Sequence, residues 1–310
     1  AALTDFFSVG RNTGFEVSDH FADNLVNYRL GVFNSNFSDN TFETTAGQDI
    51  GNNVDIAGRL TSPVYYADGG SRLIHLGVSL QHRFGNAVAF GIEPEVHKTD
   101  SFVQGSIPNV DHSNVGIAEL GTVFGPAHLS SEYAHMKVDT QNGPDPDLSA
   151  YYIEAGVFLT GESRPYSRAK GEWGRPHPIA PFTGFGTGPG AWEVAARFSH
   201  LDLSEAANAN GFTTTLGGAT SSQAAAELDV ISAGISWYPV AHAKCTVGNV
   251  WLHVVDDHPV VVAFATDRDS PIGDGFRRDN AQVVVPAVTP HLIKQAERLG
   301  VRFERVSELL

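Results

Sequence analysis

Residues 71 to 85, SRLIHLGVSLQHRFG, alternate in character almost without a break. Ile74, Leu76, Val78, Leu80 and Phe84 share one parity, and His75, Ser79, Gln81 and Arg83 occupy the other. A period of two marks a β-strand whose two faces meet different surroundings. The stretch is long for a soluble sheet, where about 5 to 6 residues per strand are usual. Two arrangements satisfy it: a protein core and bulk water on the two faces, or lipid and a water-filled interior.

The alternation recurs along the chain. Val26, Tyr28, Leu30 and Val32 oppose Asn27 and Arg29, and Val54, Ile56 and Leu60 oppose Asp55, Arg59 and Thr61. Tyr151, Ile153, Ala155, Val157 and Leu159 stand against Glu154, Gly156 and Thr160. Trp192, Val194, Ala196 and Phe198 stand against Glu193, Arg197 and Ser199. Further strands are expected around Leu129–His135, around Leu228, Val230, Ile235 and Trp237, and from Thr246 to Val254. Val88, Phe90 and Ile92 follow Gly85-Asn86, which predicts a hairpin with the 71–84 strand. In all, about ten to twelve strands of about 9 to 12 residues precede residue 255, a length that suits tilted membrane-crossing strands. The connections are uneven: 34–52, 139–148, 161–189 and 204–224 are long, while 85–86 and 125–126 are short, which is the habit of outer-membrane barrels. Phe33, Phe84, Tyr151, Tyr152, Phe158, Trp192, Phe198, Trp237 and Tyr238 lie near strand ends, as an aromatic girdle requires. A β-sandwich also alternates and uses aromatics, so a water-soluble sandwich acting as a binding or adhesin-like module is the alternative.

Composition narrows the partners. With 20 Lys plus Arg against 35 Asp plus Glu, the formal charge of -15 argues against nucleic acid, which needs a basic footprint. The single cysteine, Cys245, excludes an internal disulfide framework. No run of about 18 apolar residues is present, which excludes a membrane-crossing helix and leaves membrane strands open. Enzyme signals are weak. GFGTGPG (184–190) has no helix expected after it and is not a dinucleotide fingerprint. HVVDDH (253–258) could ligate a metal and reads equally as polar residues at a strand end. No cofactor and no metal are called for.

The last residues change character. An apolar run at 259–265 is followed by Asp267 and Asp269. Then 280–300 reads as a strand and a helix, with Thr289 as N-cap, Pro290 at the first helical position and Gly300 at the end. The expectation is two units: residues 1–255 as the β region and 256–310 as an α/β-like C-terminal tail.

Five segments in order carry a resemblance: GRNTGFEVSDHF (10–21), NYRLGVFN (27–34), AGRLTSPVYYADGGSRLIHLGVSLQHRF (57–84), YYIEAGVFLTGESRPYS (151–167) and GAWEVAARFSHLDLS (190–204), with WYP at 237–239. Together they resemble the phosphate-selective porin O/P family over about residues 8–255. The resemblance implies an all-β fold, an antiparallel transmembrane β-barrel, sixteen-stranded in the family. It implies a bacterial outer-membrane porin, usually a homotrimer, set in outer-membrane lipid and lipopolysaccharide and passing small anions such as phosphate or other small hydrophilic solutes, without chemistry. It also places Ile74, Leu76, Val78 and Leu80 toward lipid and His75, Ser79, Gln81 and Arg83 toward the interior. The family's first strands and its aromatic C-terminal end are not matched here. The expectation is therefore a wall completed by further chain, by partner chains or by a smaller closure, because open edges in lipid are costly.

An anion path needs fixed positive charge in a confined interior. The densest basic cluster is ESRPYSRAKGEWGRPHP (162–178), with Arg164, Arg168, Lys170 and Arg175 beside Glu162 and Glu172. A loop folded inward would carry it to a constriction. Arg29, Arg59, Arg72, Arg83 and Arg197 lie near or on polar strand faces, and guanidinium suits bidentate phosphate contacts. Two readings stay open for each: an anion-path residue, or a lining residue paired with Asp or Glu.

Overall fold

The computed structural model describes residues 3–8, 13–34, 54–85, 87–92, 95, 103–184, 186–207, 214–216, 219–221, 227–254 and 261–267. In chain order, β1 (Thr13–Phe21), β2 (Val26–Asn34), β3 (Val54–Ala67) and β4 (Arg72–Phe84) are followed by the short β5 (Ala87–Ile92) and β6 (Val103–Pro108). Then come β7 (Val110–Phe124), β8 (Ala127–Thr140) and β9 (Asp147–Phe158), and the two-residue β10 (Tyr166–Ser167) and β11 (Glu172–Trp173). β12 (Ala191–Asp202), β13 (Thr214–Leu216), β14 (Ala219–Ser221), β15 (Glu227–Tyr238), β16 (Cys245–Val254) and β17 (Val261–Asp267) complete the order. Eleven strands form one antiparallel sheet in the order β1-β2-β3-β4-β7-β8-β9-β12-β15-β16-β17, so each long strand pairs with its neighbours in sequence. Among the described residues β1 and β17 are its two edges and the sheet is not closed.

The alternation becomes two faces. Along β4, Leu76, Val78, Leu80 and Phe84 are exposed, while His75 keeps 2% of its surface. The same parity carries outward Phe15 and Val17 on β1, Leu30 and Val32 on β2, Ile153 and Val157 on β9, and Ile231 and Ile235 on β15. This is the outer face, with an apolar band across its strands and polar pairs such as His82–Asn114, His112–Asp139 and His200–Asp229 toward the long loops. In water each such side chain would forgo roughly 1.5–3 kcal/mol of burial. No second sheet covers it among the described residues, which removes the sandwich arrangement.

The inner face is polar in its middle and apolar toward the long loops. There Met136, Leu148, Leu201 and Leu228 gather around a 3₁₀ turn at Leu3–Phe7, whose Leu3 and Phe7 are buried. Leu228 and Val230 are inner residues for this reason, while Ile231 and Ile235 on the same strand point out.

At the opposite end turns join the strands tightly, except that the long β9–β12 connection also leaves from there, against the expected separation of long loops from short turns. Ala22, Asp23 and Asn24 hold left-handed backbone between β1 and β2, and Gly125 (φ 60) with Pro126 joins β7 to β8. Pro63 lies inside β3, where it has no N–H to donate. The ladder with β4 accordingly shifts register between Ser62 and Tyr65, the bulge that a strand proline demands.

Two expectations are corrected. β5 does not form a hairpin with β4: every residue of β4 is taken by β7, and β5 pairs with β6, which joins β13 and β14 in a separate four-stranded sheet. Nor do all the strand-end rings form a girdle. Phe158 and Tyr238 are buried on the inner parity, and Tyr152 lies there under Arg197, because parity and not position along the strand decides which way a ring points. Trp192 and Trp237, on the outer parity, do stack on one another, and both indoles donate to the Pro189 carbonyl. The sheet runs past residue 255, since β17 pairs with β16. The strand–helix–strand expected over 280–310 lies outside the described residues.

With hydrocarbon against the outer face, Leu80→Arg costs about 2–4 kcal/mol. Ala57→Arg, on the inner parity of β3 opposite Gln81, leaves folding intact. The yield of heat-modifiable folded protein in lipid checks this, and equal yields for the two variants would contradict it.

Candidate solute path on the inner face

Two connections leave the sheet and return to its inner side. The β9–β12 segment, residues 159–190, starts beside β8 and β12. It reaches β7, β4, β3, β2 and the β1–β2 turn, a span of several strands at about 4.8 Å each. Gly121 on β7 is what lets it approach: the Trp173 ring occupies the space a Cβ would fill. Gly171 (φ 63) abuts Thr61 as closely, and its backbone conformation also disfavours a side chain. Tyr166 and Trp173 pair across the small β10–β11 ladder and pack edge-on, both against the His75 ring. Burial pushes the Tyr166 hydroxyl up to about 12. It therefore stays protonated at neutral pH, 2.8 Å from Nδ1 of His75.

From the other side comes Glu95, in the connection between β5 and β6. Its carboxylate is 2% exposed and accepts hydrogen bonds from Ser199 on β12 and Ser232 on β15. The sheet order puts β4, where this excursion begins, five places from β15. Residues 159–190 thus cross the inner side, and Glu95 stands against it at β12 and β15.

Of the arginines read as near polar strand faces, Arg72 is exposed on the outer parity of β4 beside Asp68, and the other four belong to this inner side, each with a carboxylate. Arg29 and Arg59 are register partners on β2 and β3. Arg29 bonds Glu172 of the crossing segment. Arg59 forks onto Glu119 of β7, with Nε to Oε1 at 2.8 Å and Nη2 to Oε2 at 2.7 Å. That pair reaches across β4 because the strand carries Gly77 there, with Thr61 on one side and Glu119 on the other. His75 Nε2 lies 3.5 Å from the same Glu119 Oε2. Arg197 faces Glu154 directly in register and bonds Oε2 through Nε at 3.1 Å and Nη2 at 2.6 Å. Glu95 stands 3.7 Å away and the Tyr152 ring lies beneath. Arg83 lies at the long-loop end with Asp55 as its opposite charge.

The basic cluster of the crossing segment divides. Arg164 turns inward, donating to Ser130 at 2.9 Å, lying 3.9 Å from Glu154 and stacking on Trp173. Arg168 stacks on Tyr66 and donates to the Asp23 carbonyl at 2.7 Å. Lys170 and Arg175 are exposed and join neither group. Glu162, in the same cluster, braces the segment by accepting from Thr160 and from the Ile179 amide.

Several participants escaped sequence reasoning. Glu119 and Glu95 were passed over, and so was a buried set at the turn end in which His128 and Tyr238 both bond Glu193, at 2.8 and 2.7 Å. Glu154 and Arg197 were each legible as polar-parity residues, but their pairing needs the strand register. Metal-ligating groups are absent among the described residues, and HVVDDH lies partly outside them.

A passage lined this way, polar and ionic within and apolar without, can hold water and pass hydrated solutes. Similarity to known proteins points the same way. The chain is 26% identical over 253 residues to an uncharacterized protein of Caulobacter vibrioides, covering 79% of this chain and 46% of that relative. It thus spans less than half the length of the relative it matches. The family model described as phosphate-selective porin O and P matches residues 1–266. The chain belongs to that family.

Proposed function

We propose that this chain forms the wall of a passive channel in the bacterial outer membrane. The channel admits small hydrophilic solutes, with small anions such as phosphate among them. The observation that carries the reading is the inverted polarity of the sheet: apolar and exposed outside, ionic and hydrogen-bonded inside. Membership of a porin family supports it and favours a channel over an enzyme. Arg29, Arg59, Arg83, Arg164, Arg168 and Arg197 line the path, while Lys170 and Arg175 offer uncompacted charge at the crossing segment. The outer face meets lipid and lipopolysaccharide, and the family's habit supports a homotrimer. Solutes move by diffusion, so no cofactor is needed.

Planar-bilayer recording of the full chain refolded from detergent tests this. Discrete, long-lived conductance steps are expected. A folded chain that gives none would contradict the reading.

The crossing segment gives a second expectation. Gly121→Leu fills the space that the Trp173 ring occupies and pushes the segment off the wall. Single-channel conductance rises by the order of twofold as a polar constriction leaves the path. Unchanged conductance would show that residues 159–190 do not narrow it.

A further inference from the structure

The ion pairs carry a consequence for what the channel prefers. A guanidinium attracts a phosphate strongly when its fork is vacant, and weakly when a carboxylate already fills both prongs. Glu119 fills the fork of Arg59, Glu154 that of Arg197, and Glu172 takes Arg29. Arg197 has a second carboxylate on its other side, Glu95, brought in from a loop. Glu119 and Glu154 are set into the wall beside their partners and keep 15% and 20% of their side-chain surface, while Glu172 comes from the crossing segment and keeps 40%. A paired charge acts outward as a dipole, and a field of that kind fades within the Debye length of about 8 Å at physiological salt.

We infer that Glu119, Glu154 and Glu172 set the ion selectivity of this channel. By compensating Arg59, Arg197 and Arg29 they make the ionic band of the wall near neutral, with Arg83 facing Asp55 at the long-loop end and Lys170 and Arg175 exposed on the crossing segment outside that band, so small ions of either sign pass and phosphate is not selected. The inference rests on the channel reading and departs from the selectivity by which the family is described. Arg164 and Arg168 do not restore an anion site. The first shares Glu154, and the second is held by a carbonyl and by Asp23 at 3.9 Å.

The experiment is the reversal potential of the full chain in a potassium chloride gradient, with and without inorganic phosphate. The wild-type chain is expected to give a value near zero and no block by phosphate at concentrations below those of chloride. Glu119→Gln and Glu154→Gln, which keep the side chain's shape and remove its charge, the first also removing one of the two oxygens that accept from Arg59, are expected to shift the chloride-to-potassium permeability ratio toward the anion. The shift is about threefold each, the weight of one uncovered charge at several ångströms in a wet path. They are also expected to introduce phosphate block. Arg59→Gln, which uncovers Glu119, should shift the ratio the other way, and heat-modifiable mobility confirms that each variant is folded. A strongly anion-selective, phosphate-blocked wild type would overturn the inference, and so would folded glutamine variants with unchanged ratios. Should a glutamine variant not fold, the wild-type potential and the Arg59→Gln shift still decide. A folded wild type without any conductance would instead overturn the channel reading and this inference with it.

Discussion

A charge on the inner side of this sheet sits between an apolar wall and the groups that lie in front of it, residues 159–190 and Glu95. That confinement governs the rest of the architecture. Arginines are carried inward by the same alternation that carries leucines and valines outward, and a confined guanidinium without a partner is costly. The partners come from wherever the topology can supply them: from the adjacent strand for Arg197 and Glu154, from two strands away for Arg59 and Glu119, and from a loop for Arg29 and Glu172. Each supply route leaves its trace in the backbone. Gly77 clears the way across β4, Gly121 admits Trp173, and Gly171 lets the crossing segment touch β3.

The inner side is therefore ordered by electrostatics in its middle and by apolar packing at one end. Toward the long loops, Leu3 and Phe7 close over Met136, Leu148 and Leu201. Toward the short turns, His128, Glu193 and Tyr238 form a buried hydrogen-bonded set beside Phe158. Between these two ends lies the ionic band. The path we propose for water and small solutes lies there, between the wall and the segments carrying Glu95 and Trp173. The middle of the outer face needs no such pairing, because its side chains are apolar; toward the long loops, polar pairs such as His82–Asn114, His112–Asp139 and His200–Asp229 share that face.

The sequence made the two faces legible because lipid and water act on every residue of a strand in turn. Leu76, Val78 and Leu80 point out and His75 points in, as the period of two requires. It did not disclose partnerships that depend on register. Glu119 looks like any polar-parity carboxylate until β4 is placed between it and Arg59. Glu95 lies in a connection whose destination no local pattern announces. Tyr152, Phe158 and Tyr238 were read as girdle rings from their place near strand ends, whereas their shared parity with Glu154 and Glu193 would have turned them inward. β5 was misread because a Gly-Asn link signals a turn without saying which strand is paired after it. The arginines were legible as inner residues, and their compensation was not.

The account stands on the outer face meeting lipid while the inner face meets water. Single cysteines placed one at a time from 76 to 81, in a Cys245→Ser background and in lipid vesicles, measure this directly. Labelling by a water-soluble, membrane-impermeant thiol reagent is compared with quenching by a lipid-dissolved probe. The account predicts a period of two: positions 77, 79 and 81 react from water, and 76, 78 and 80 respond to the lipid probe. Water labelling of 76, 78 and 80 as fast as that of their neighbours would contradict it.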